Sequence, residues 1–526
     1  MRRNSGALIA AALIALAVWL RLWHLGWMPG IDGDEGWWGV QALRWLHGQP
    51  YEARTTNGNP IDVFLLVPLG LAHAVWAPSF TLLRAVPAVL NLIALPIGFL
   101  LVRWLYGSTT AWIQTVATAV LPTAIAHSRL CQDPSQSIPW TVIVVGLSLL
   151  SVRERSRAWL YGIAACVTFV VAVRTHPTNV FVAPFVALSV MTALEAGLPA
   201  TRRGRAVAIV ILLVAVAVPL RFVLPQVQSF VRSNELLNKP WLSIAAGHLA
   251  HPSSWFEFLV NYGRLFDGVV VYHYLSDPHV VSVASDLGFA IAAPAIVCGF
   301  GLALRGARTS PRSRVDGALA IGWLSSAFLF FAFAGPEALR PNFERWGLCL
   351  IAPGTFVIAR GISGWIDAAP RWRVWTIGVS CALAFGLLGA FSLNFVRVFE
   401  TSGGRAHVTF VTASPEPKQQ AFDAILSRRS HDEPVLIVGQ LWWQFYPIDY
   451  LAQAHPGIMV VMKVPPDDAP ELRDARARGR VFFVEFAGTP ELTRAENWIR
   501  ARARQMTDTT IRDKGGRDLL HVIEVR

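Results

Sequence analysis

The chain has 526 residues, of which 54% are hydrophobic and only 15% are charged, and its mean hydropathy is +0.44. Soluble globular proteins carry about 25% charged residues, so the composition excludes an ordinary soluble protein and indicates a polytopic α-helical membrane protein. The formal net charge is +12. The positive charge lies mostly in short clusters between apolar runs, as in the cytoplasmic loops of membrane proteins, which argues against nucleic acid as a partner.

Apolar runs follow one another along the first 396 residues, and a helix needs about 20 residues to span a bilayer. The runs considered as spans are 6–27, 82–105, 110–127, 136–152, 157–174, 177–196, 206–225, 285–304, 317–334, 344–362 and 374–396. One more run, 61–77, is short and has Pro68 in its middle, so we predict that it lies flat on the membrane surface. Two further surface helices are predicted at 35–47 and 253–266.

Arginine clusters decide the predicted orientation. They lie at 153–157, 201–205, 305–314 and 371–373. If the N-terminus is cytoplasmic and 61–77 does not span, all of these clusters are cytoplasmic, as the positive-inside rule requires. If 61–77 spans, all of them move outside. We therefore predict eleven spanning helices, a cytoplasmic N-terminus and an extracytoplasmic C-terminal part.

The sequence changes character after residue 396. Short runs rich in β-branched residues alternate with helical stretches, which predicts a small α/β domain with a mostly parallel sheet. The predicted strands are 407–413, 434–439, 457–464 and 480–486, and the predicted helices are 418–429 and 470–479. No glycine-rich phosphate-binding motif opens a helix here, so we expect no nucleotide site. The predicted domains are a membrane domain at 1–396 and an extracytoplasmic α/β domain at 397–526.

Charged residues from loops that are far apart in sequence all fall on the predicted outer face. They are Asp32, Asp34, Glu35, His127, Arg129, Asp133, Arg174, His176, Glu337, Arg340, Glu344 and Arg345. Charge at a membrane interface is costly unless it is paired or solvated, so these residues are functional candidates. Arginines can bind a phosphate with forked hydrogen bonds, and a carboxylate can take a proton from an attacking hydroxyl. This mixture predicts transfer from a phosphorylated donor.

The first loop also carries a family signature. The stretch GDEGWWGVQALRWLHGQPYE, which begins at Gly33, resembles the first-loop motif of GT-C glycosyltransferases. The resemblance is to the branch related to aminoarabinose transferases and protein O-mannosyltransferases, glycosyltransferase family 39. There, an Asp-Glu pair precedes an aromatic-rich surface helix. AVLPTAIAHSRLCQDPSQS is similar to the second element of that branch, and FERWGLCLIAP resembles its late Arg-aromatic helix start.

The resemblance implies a GT-C fold, a polyprenyl-phosphate sugar as the donor and an acceptor hydroxyl on the outer face. Arginine-rich, lysine-poor usage is typical of GC-rich bacterial genomes, so we expect a bacterial inner membrane. Asp34 matches the first acid of the family pair and is the predicted catalytic base. Where the branch usually carries Lys-Pro-Pro, this chain has Asn59-Pro60, so Arg54 or another arginine would have to contact the donor phosphate.

The acids have structural alternatives. Asp34 could instead N-cap the helix 35–47, because aspartate suits that position. Glu35 is predicted to bind a metal or to orient Asp34, and its alternative is a solvated acid in the first helical turn. A divalent cation is an open alternative rather than a required cofactor, and Asp34, Glu35 and Asp133 would be its ligands.

The cations and their neighbours have alternatives too. Arg129 and Asp133 are predicted to bind substrate, and the alternative is a surface ion pair, which contributes little to stability. Arg174, His176 and Arg345 are predicted to bind the donor phosphate or a lipid headgroup. An arginine at a helix end can also simply extend its side chain to the interface.

Two classes of function remain open from the sequence. The first is a glycosyltransferase that uses a polyprenyl-phosphate sugar. The second is a transporter or lipid flippase without transferase activity. Transporters usually place charged residues near the bilayer midplane and carry paired repeats with broken helices. Here the charges crowd one face and no repeat is present, which favours the transferase.

Overall fold

The computed structural model describes residues 2–55, 60–196, 241–306, 312–430, 433–464 and 505–525, together with residues 210 and 221 and most of 466–502. The arginine cluster 201–205 and Asn59 lie outside the described residues. So do nearly all of the predicted span 206–225 and parts of the segments 305–314 and 470–479.

Helices dominate the first 402 residues. They are α1 (Arg2–Leu22), α2 (Gly33–Leu46), α3 (Val63–His73), α4 (Phe80–Tyr106), α5 (Ser108–Val120), α6 (Pro122–Ser128), α7 (Ser137–Arg153), α8 (Ala158–Thr175), α9 (Ala183–Ala196), α10 (Trp241–Ala250), α11 (Pro252–Asp267), α12 (Val269–Leu275), α13 (Val283–Gly306), α14 (Arg312–Ala334), α15 (Ile351–Ala368), α16 (Arg373–Phe391) and α17 (Arg397–Ser402).

Eight helical segments in the described part of the chain are long and apolar enough to cross a membrane. The predicted span 6–27 corresponds to α1, whose apolar part is 7–22. The predicted span 110–127 is broken between α5 and α6, where Pro122 opens the second helix. α3 has 11 residues and is about 16 Å long, which is too short for a hydrocarbon core of about 30 Å. The prediction that this segment does not span is consistent with that length.

Helix ends that the sequence assigns to one face lie together. Trp23, after α1, donates a hydrogen bond of 3.3 Å to Glu400. The Ser276 hydroxyl, after α12, donates one of 2.7 Å to the carbonyl of Asn394. These contacts join the first loop, the end of α12 and the segment 394–400, so these three parts of the chain lie on one surface. The assignment of this surface to the outside of the membrane stays a prediction.

The C-terminal part is a five-stranded sheet covered by helices. The strands are β1 (Val435–Val438), β2 (Ile458–Val461), β3 (Arg480–Phe486), β4 (Met506–Arg512) and β5 (Asp518–Val525), and the helices are α18 (Pro417–Leu426), α19 (Trp442–Ala452) and α20 (Pro490–Arg502). The strand order is β2-β1-β3-β5-β4. β1 pairs in parallel with β2 and β3, with Val435 opposite Ile458 and Arg480.

The prediction of a mostly parallel sheet is wrong for half of it. β5 is antiparallel to both β3 and β4. A short turn joins β4 to β5, and a turn of that length can only connect antiparallel neighbours. The predicted strand 407–413 is also wrong, because Val408–Phe410 form a short 3-10 turn. That segment bonds to the first loop instead, since the Gly30 N–H donates to the Phe410 carbonyl at 2.9 Å.

The two parts of the chain share a hydrophobic core. Trp38 of α2 and Leu69 of α3 belong to the same buried cluster as Ile437 and Phe482 of the sheet. The predicted domain boundary at 396/397 falls within a helical run that continues from 370 to 402. The helix that carries the acidic signature, α2, therefore packs on α19, and both belong to the hydrophobic cluster that includes the sheet.

Candidate active site

α2 begins with a capping box that uses two of the three first-loop acids. The side chain of Asp32 accepts a hydrogen bond of 2.6 Å from the Gly33 N–H, and the Asp32 N–H donates one of 3.0 Å to Glu35. The helix therefore starts at Gly33, and Asp32 is the N-cap. The alternative in which Asp34 caps the helix is wrong, because Asp34 already lies in the first turn.

Glu35 is a buried anchor. Its side chain is fully buried and forms an ion pair with Arg84, with contacts of 2.7 and 2.5 Å. It also accepts the Cys131 N–H at 2.9 Å, which ties the second loop to the first. Arg84 in turn donates to the carbonyls of Pro29 and Gly30 at 2.6 and 3.1 Å. The alternative of a solvated acid is therefore wrong, because Glu35 is turned away from water.

Arg129 is also occupied by the protein itself. Its guanidinium is 1% exposed and donates to the carbonyls of Leu20, Trp23 and Met28 at 2.5, 2.7 and 2.6 Å. Burial excludes the alternative of a surface ion pair with Asp133. These contacts fasten the end of α1 to the end of α6, and they favour a structural role over direct contact with substrate.

Asp34 has a different environment from its neighbours. It is half-buried, and its Oδ1 accepts a hydrogen bond of 3.0 Å from the indole N–H of Trp442 in α19. Its Oδ2 accepts no hydrogen bond among the described residues. Burial raises the pKa of Asp34 above the ordinary aspartate value, while the Arg345 guanidinium and the Trp442 hydrogen bond oppose this rise. Asp34 is thus a partly accessible carboxylate with one fixed oxygen.

Arg345 and Asp133, on two other elements, interact electrostatically with Asp34. Arg345 is the second residue of the 3-10 turn Glu344–Leu350, and Asp133 is the first residue of the 3-10 turn Asp133–Gln136. Both side chains are half-buried. The Arg345 charge acts on Asp32 and Asp34, and burial raises the pKa of Asp32 to about 8. Beside them, His127 and Glu344 form a buried pair at 3.2 Å. The Arg345 guanidinium therefore interacts electrostatically with several carboxylates.

A second cation lies at the end of α8. Arg174 is half-buried and acts electrostatically on Asp62, the N-cap of α3, whose side chain accepts the Phe64 N–H at 2.9 Å. Burial raises the pKa of Asp62 to about 7. Burial lowers the pKa of His176 to about 3, and its Nδ1 lies 2.7 Å from the Thr178 hydroxyl. His176 is therefore uncharged at neutral pH and offers no positive charge to a phosphate.

The described acids do not form a metal site made of protein ligands alone. Within the described residues, no group of three or more His, Cys, Asp or Glu side chains could hold one. Of the ligands considered from the sequence, Glu35 is paired with Arg84. Asp34 and Asp133 alone could hold a divalent cation only together with oxygens of a substrate phosphate or water, as Mg²⁺ sites commonly do.

A large apolar cavity lies among the membrane helices. Its volume is about 2210 Å³, and its lining comes from α1, α5, α11, α13, α15 and α16. Leu121 and Phe266 are part of that lining. Leu121 directly precedes α6, the helix that carries His127. The cavity therefore reaches the residue that precedes α6.

Several residues of the site were missed at the sequence level. Asp62 is not among the residues predicted for the site, although an acid before an apolar run is a common N-cap. Arg84 follows a serine cap within a long apolar helix and gives no local sign of its partner. Trp442 is 408 positions from Asp34, and no local pattern connects the two.

Comparisons with known proteins identify the fold. No protein-family model matches the chain. No curated protein sequence matches it. Among solved structures, ArnT from Cupriavidus metallidurans in the apo state matches with a TM-score of 0.55 and 12% identity, covering 98% of this chain and 97% of that chain. ArnT bound to undecaprenyl phosphate matches with a TM-score of 0.54, 13% identity and the same coverage.

A third match is the Archaeoglobus fulgidus oligosaccharyltransferase in complex with Zn and sulfate. Its TM-score is 0.50 and its identity 15%, with 91% of this chain and 68% of that chain covered. These neighbours are GT-C glycosyltransferases, and the predicted GT-C fold, a polytopic helical membrane part with a small C-terminal sheet, is confirmed.

Proposed function

We propose that this chain is an inverting membrane glycosyltransferase that moves a sugar from a polyprenyl-phosphate donor to an acceptor hydroxyl, with Asp34 as the base. The observation that carries the proposal is the environment of the Asp34 carboxylate. Asp34 is a half-buried carboxylate on which the Arg345 charge acts, and one of its oxygens accepts the hydrogen bond from Trp442. A general base needs such an oxygen within reach of the proton that it removes.

A lipid-borne donor fits two further observations. ArnT, which has the same fold, has been crystallised with undecaprenyl phosphate. The cavity of about 2210 Å³ in this chain is mostly apolar and reaches Leu121, the residue before α6. A polyprenyl tail would occupy apolar space of this kind, while its phosphate would remain among the cations. The donor already stores the energy of transfer in its phosphodiester, so no nucleotide is needed.

The proposed reaction is a single displacement. The acceptor oxygen forms a bond to the anomeric carbon as Asp34 takes the hydroxyl proton. The bond between the anomeric carbon and the phosphate oxygen breaks, and the lipid phosphate leaves with that electron pair. Because attack and departure occur on opposite faces, the anomeric configuration inverts. A guanidinium near the leaving phosphate stabilises the charge that develops there.

Arg345 is the strongest candidate for that guanidinium, because its charge already acts on the Asp34 carboxylate. Arg174, at the end of α8, is the second candidate. We assign Arg129 a supporting role, since it donates to backbone carbonyls that fix the first loop. Asp133 is proposed to orient the acceptor, and His176 to contribute only as an uncharged group.

The site is proposed to face the outside of a bacterial inner membrane. The supporting observation is the arginine cluster 153–157, at the opposite end of α7 from Asp133. In a cysteine-free variant, a single cysteine introduced at Arg157 should react only with reagents that reach the cytoplasm. Labelling from the periplasm would reverse the proposed orientation.

The function is tested by supplying purified protein in nanodiscs with labelled undecaprenyl-phosphate sugars and a panel of lipid, glycan and peptide hydroxyl acceptors. We expect a labelled product with inverted anomeric configuration, assigned by NMR, together with free undecaprenyl phosphate. A retained configuration would overturn the single displacement. Movement of intact donor across the bilayer without product, measured in proteoliposomes, would instead support the transporter or flippase alternative.

A further inference from the structure

The C-terminal domain contacts the proposed base directly. α19 begins at Trp442, and its indole N–H donates to Asp34 Oδ1 at 3.0 Å. We propose that Trp442 is a positioning residue, which holds one carboxylate oxygen of Asp34 so that the other faces the acceptor hydroxyl. This inference rests on the role proposed above for Asp34. It gives the C-terminal domain a part in the reaction site, beyond packing on the membrane helices.

Close packing of two helices makes this contact possible. Gly33, Gly36 and Gly39 are spaced three residues apart and lie along one side of α2. A Cβ atom would lie 2.2 Å from the Trp442 ring if added at Gly33 and 2.4 Å from the Pro447 nitrogen if added at Gly36. Larger residues at these positions would push α19 away. The glycines therefore set the distance at which Trp442 reaches Asp34.

α19 is also fastened at its start. Glu485, in β3, is completely buried. It accepts hydrogen bonds from the Gln440 N–H and side-chain amide, both at 3.1 Å, and from the Gln444 amide at 2.9 Å. The end of α19 is held as well, because the Tyr450 hydroxyl bonds to the backbone of Ser79 at 3.0 and 3.1 Å. The indole is thus presented to Asp34 by a helix anchored at both ends.

The contact also affects the charge of Asp34. The other ionisable groups that act on this carboxylate, or on which it acts, are Asp32, Glu35, Asp133, Tyr274 and Arg345. Most of these are acids, which favour the protonated, inactive form of the base. A hydrogen bond donated to the charged form favours deprotonation instead. Trp442 therefore works with Arg345 to keep Asp34 ready to accept a proton.

The test uses Trp442→Phe in the full chain, in lipid nanodiscs. Infrared difference spectra recorded against pH follow the carboxyl band of protonated Asp34, which is assigned by its loss in Asp34→Asn. We expect the titration midpoint of Asp34 to rise by about one pH unit in Trp442→Phe, because a hydrogen bond to the charged form is lost. Trp443→Phe is the matched control. Trp443 lies one residue further along α19, and its ring centroid is 4.1 Å from that of His407.

An activity arm follows with labelled undecaprenyl-phosphate sugars. We expect Trp442→Phe to lower kcat roughly tenfold or more, with little change in the KM for donor, and to move the acid limb of the pH–rate profile upward. If no substrate pair yields product from the wild type, the proposed function fails, but the infrared titration still tests the contact between Trp442 and Asp34.

A second variant covers the case in which Trp442→Phe does not fold. Glu485→Gln leaves Trp442 in place and weakens the anchor of α19, so the Asp34 midpoint should rise by a smaller amount. Thermal melting of each variant reports whether it is folded. An unchanged Asp34 midpoint in Trp442→Phe, or in Glu485→Gln where Trp442→Phe does not fold, would overturn the proposal. An equal shift in Trp443→Phe would overturn it as well.

Discussion

The two sides of α2 use their charges in opposite ways. On one side, Glu35 is completely buried, paired with Arg84 and bonded to the second loop. On the other side, the adjacent acid Asp34 is half-buried and has one oxygen without a hydrogen bond among the described residues. The contacts of Glu35 provide hydrogen-bond donors to both of its carboxylate oxygens and so stabilise the first loop. The arrangement around Asp34 leaves an acid unsatisfied in a region with a nearby cation, which is what a reactive group requires.

Substitutions on the Glu35 side of α2 should have the largest effect on stability. Removing one member of a buried ion pair leaves an uncompensated charge and costs about 3–5 kcal/mol. We therefore expect Arg84→Met to lower the melting temperature strongly, measured by fluorescence in nanodiscs. Arg155→Met is the control, because its pair with Glu195 at 3.2 Å is exposed and worth at most about 1 kcal/mol. Equal melting of the two variants would contradict the structural role of Arg84.

Substitutions on the Asp34 side of α2 should affect catalytic activity more than stability. We expect Arg345→Met to lower kcat/KM for the donor roughly 100-fold while changing the melting temperature little, since the loss is one of charge stabilisation. Arg340→Met is the control, because Arg340 is exposed and paired with Glu257 at 2.5 Å. A loss of activity in Arg340→Met as large as that in Arg345→Met would remove the distinction between the two arginines.

Close packing of α2 on α19 predicts a smaller effect on stability. Gly36→Ala places a methyl group 2.4 Å from the Pro447 nitrogen, and overpacking of this kind costs about 1–3 kcal/mol. Gly378→Ala is the control, because no atom lies within 4 Å of the added methyl group. We expect melting to fall only in Gly36→Ala. A stable Gly36→Ala variant would mean that the two helices can separate without cost.

The smallest expected effect is on pH dependence. Burial raises the pKa of Asp34, so the carboxylate is protonated and inactive below that raised value. The transfer rate should therefore increase with pH through a midpoint above the ordinary aspartate value. In Arg345→Lys, which keeps a positive charge, the midpoint should change less than in Arg345→Met, where it should move higher. A rate that falls with rising pH over this range would contradict a carboxylate base.

Much of the membrane part follows from sequence because its signals are local. The apolar runs, the acidic pair before an aromatic-rich helix and the short run 61–77 each depend on neighbouring residues. The predicted strands 434–439, 457–464 and 480–486 correspond to β1, β2 and β3 for the same reason. The placement of the charged loops on one face of the membrane could also be predicted, because it needs only the order of the apolar runs along the chain.

The pairing of charges could not be predicted, since it depends on contacts across the fold. Nothing local distinguishes Asp34 from Glu35, yet one is open and the other meets an arginine 49 residues away. Arg129 was predicted to bind substrate. Its partners in the structure are backbone carbonyls, and no pattern in the sequence indicates such partners. The hydrogen bond from Trp442 to Asp34 depends on how α19 packs on α2, and no short motif predicts that packing.

The central claim concerns Asp34, and the most direct measurement is the single-turnover rate of sugar transfer by Asp34→Asn beside the wild type. We expect the rate to fall about 100- to 10,000-fold, with an unchanged melting temperature and unchanged donor binding. Transfer at the wild-type rate by the folded variant would contradict the account, because the acid left open on α2 would then have no part in the chemistry.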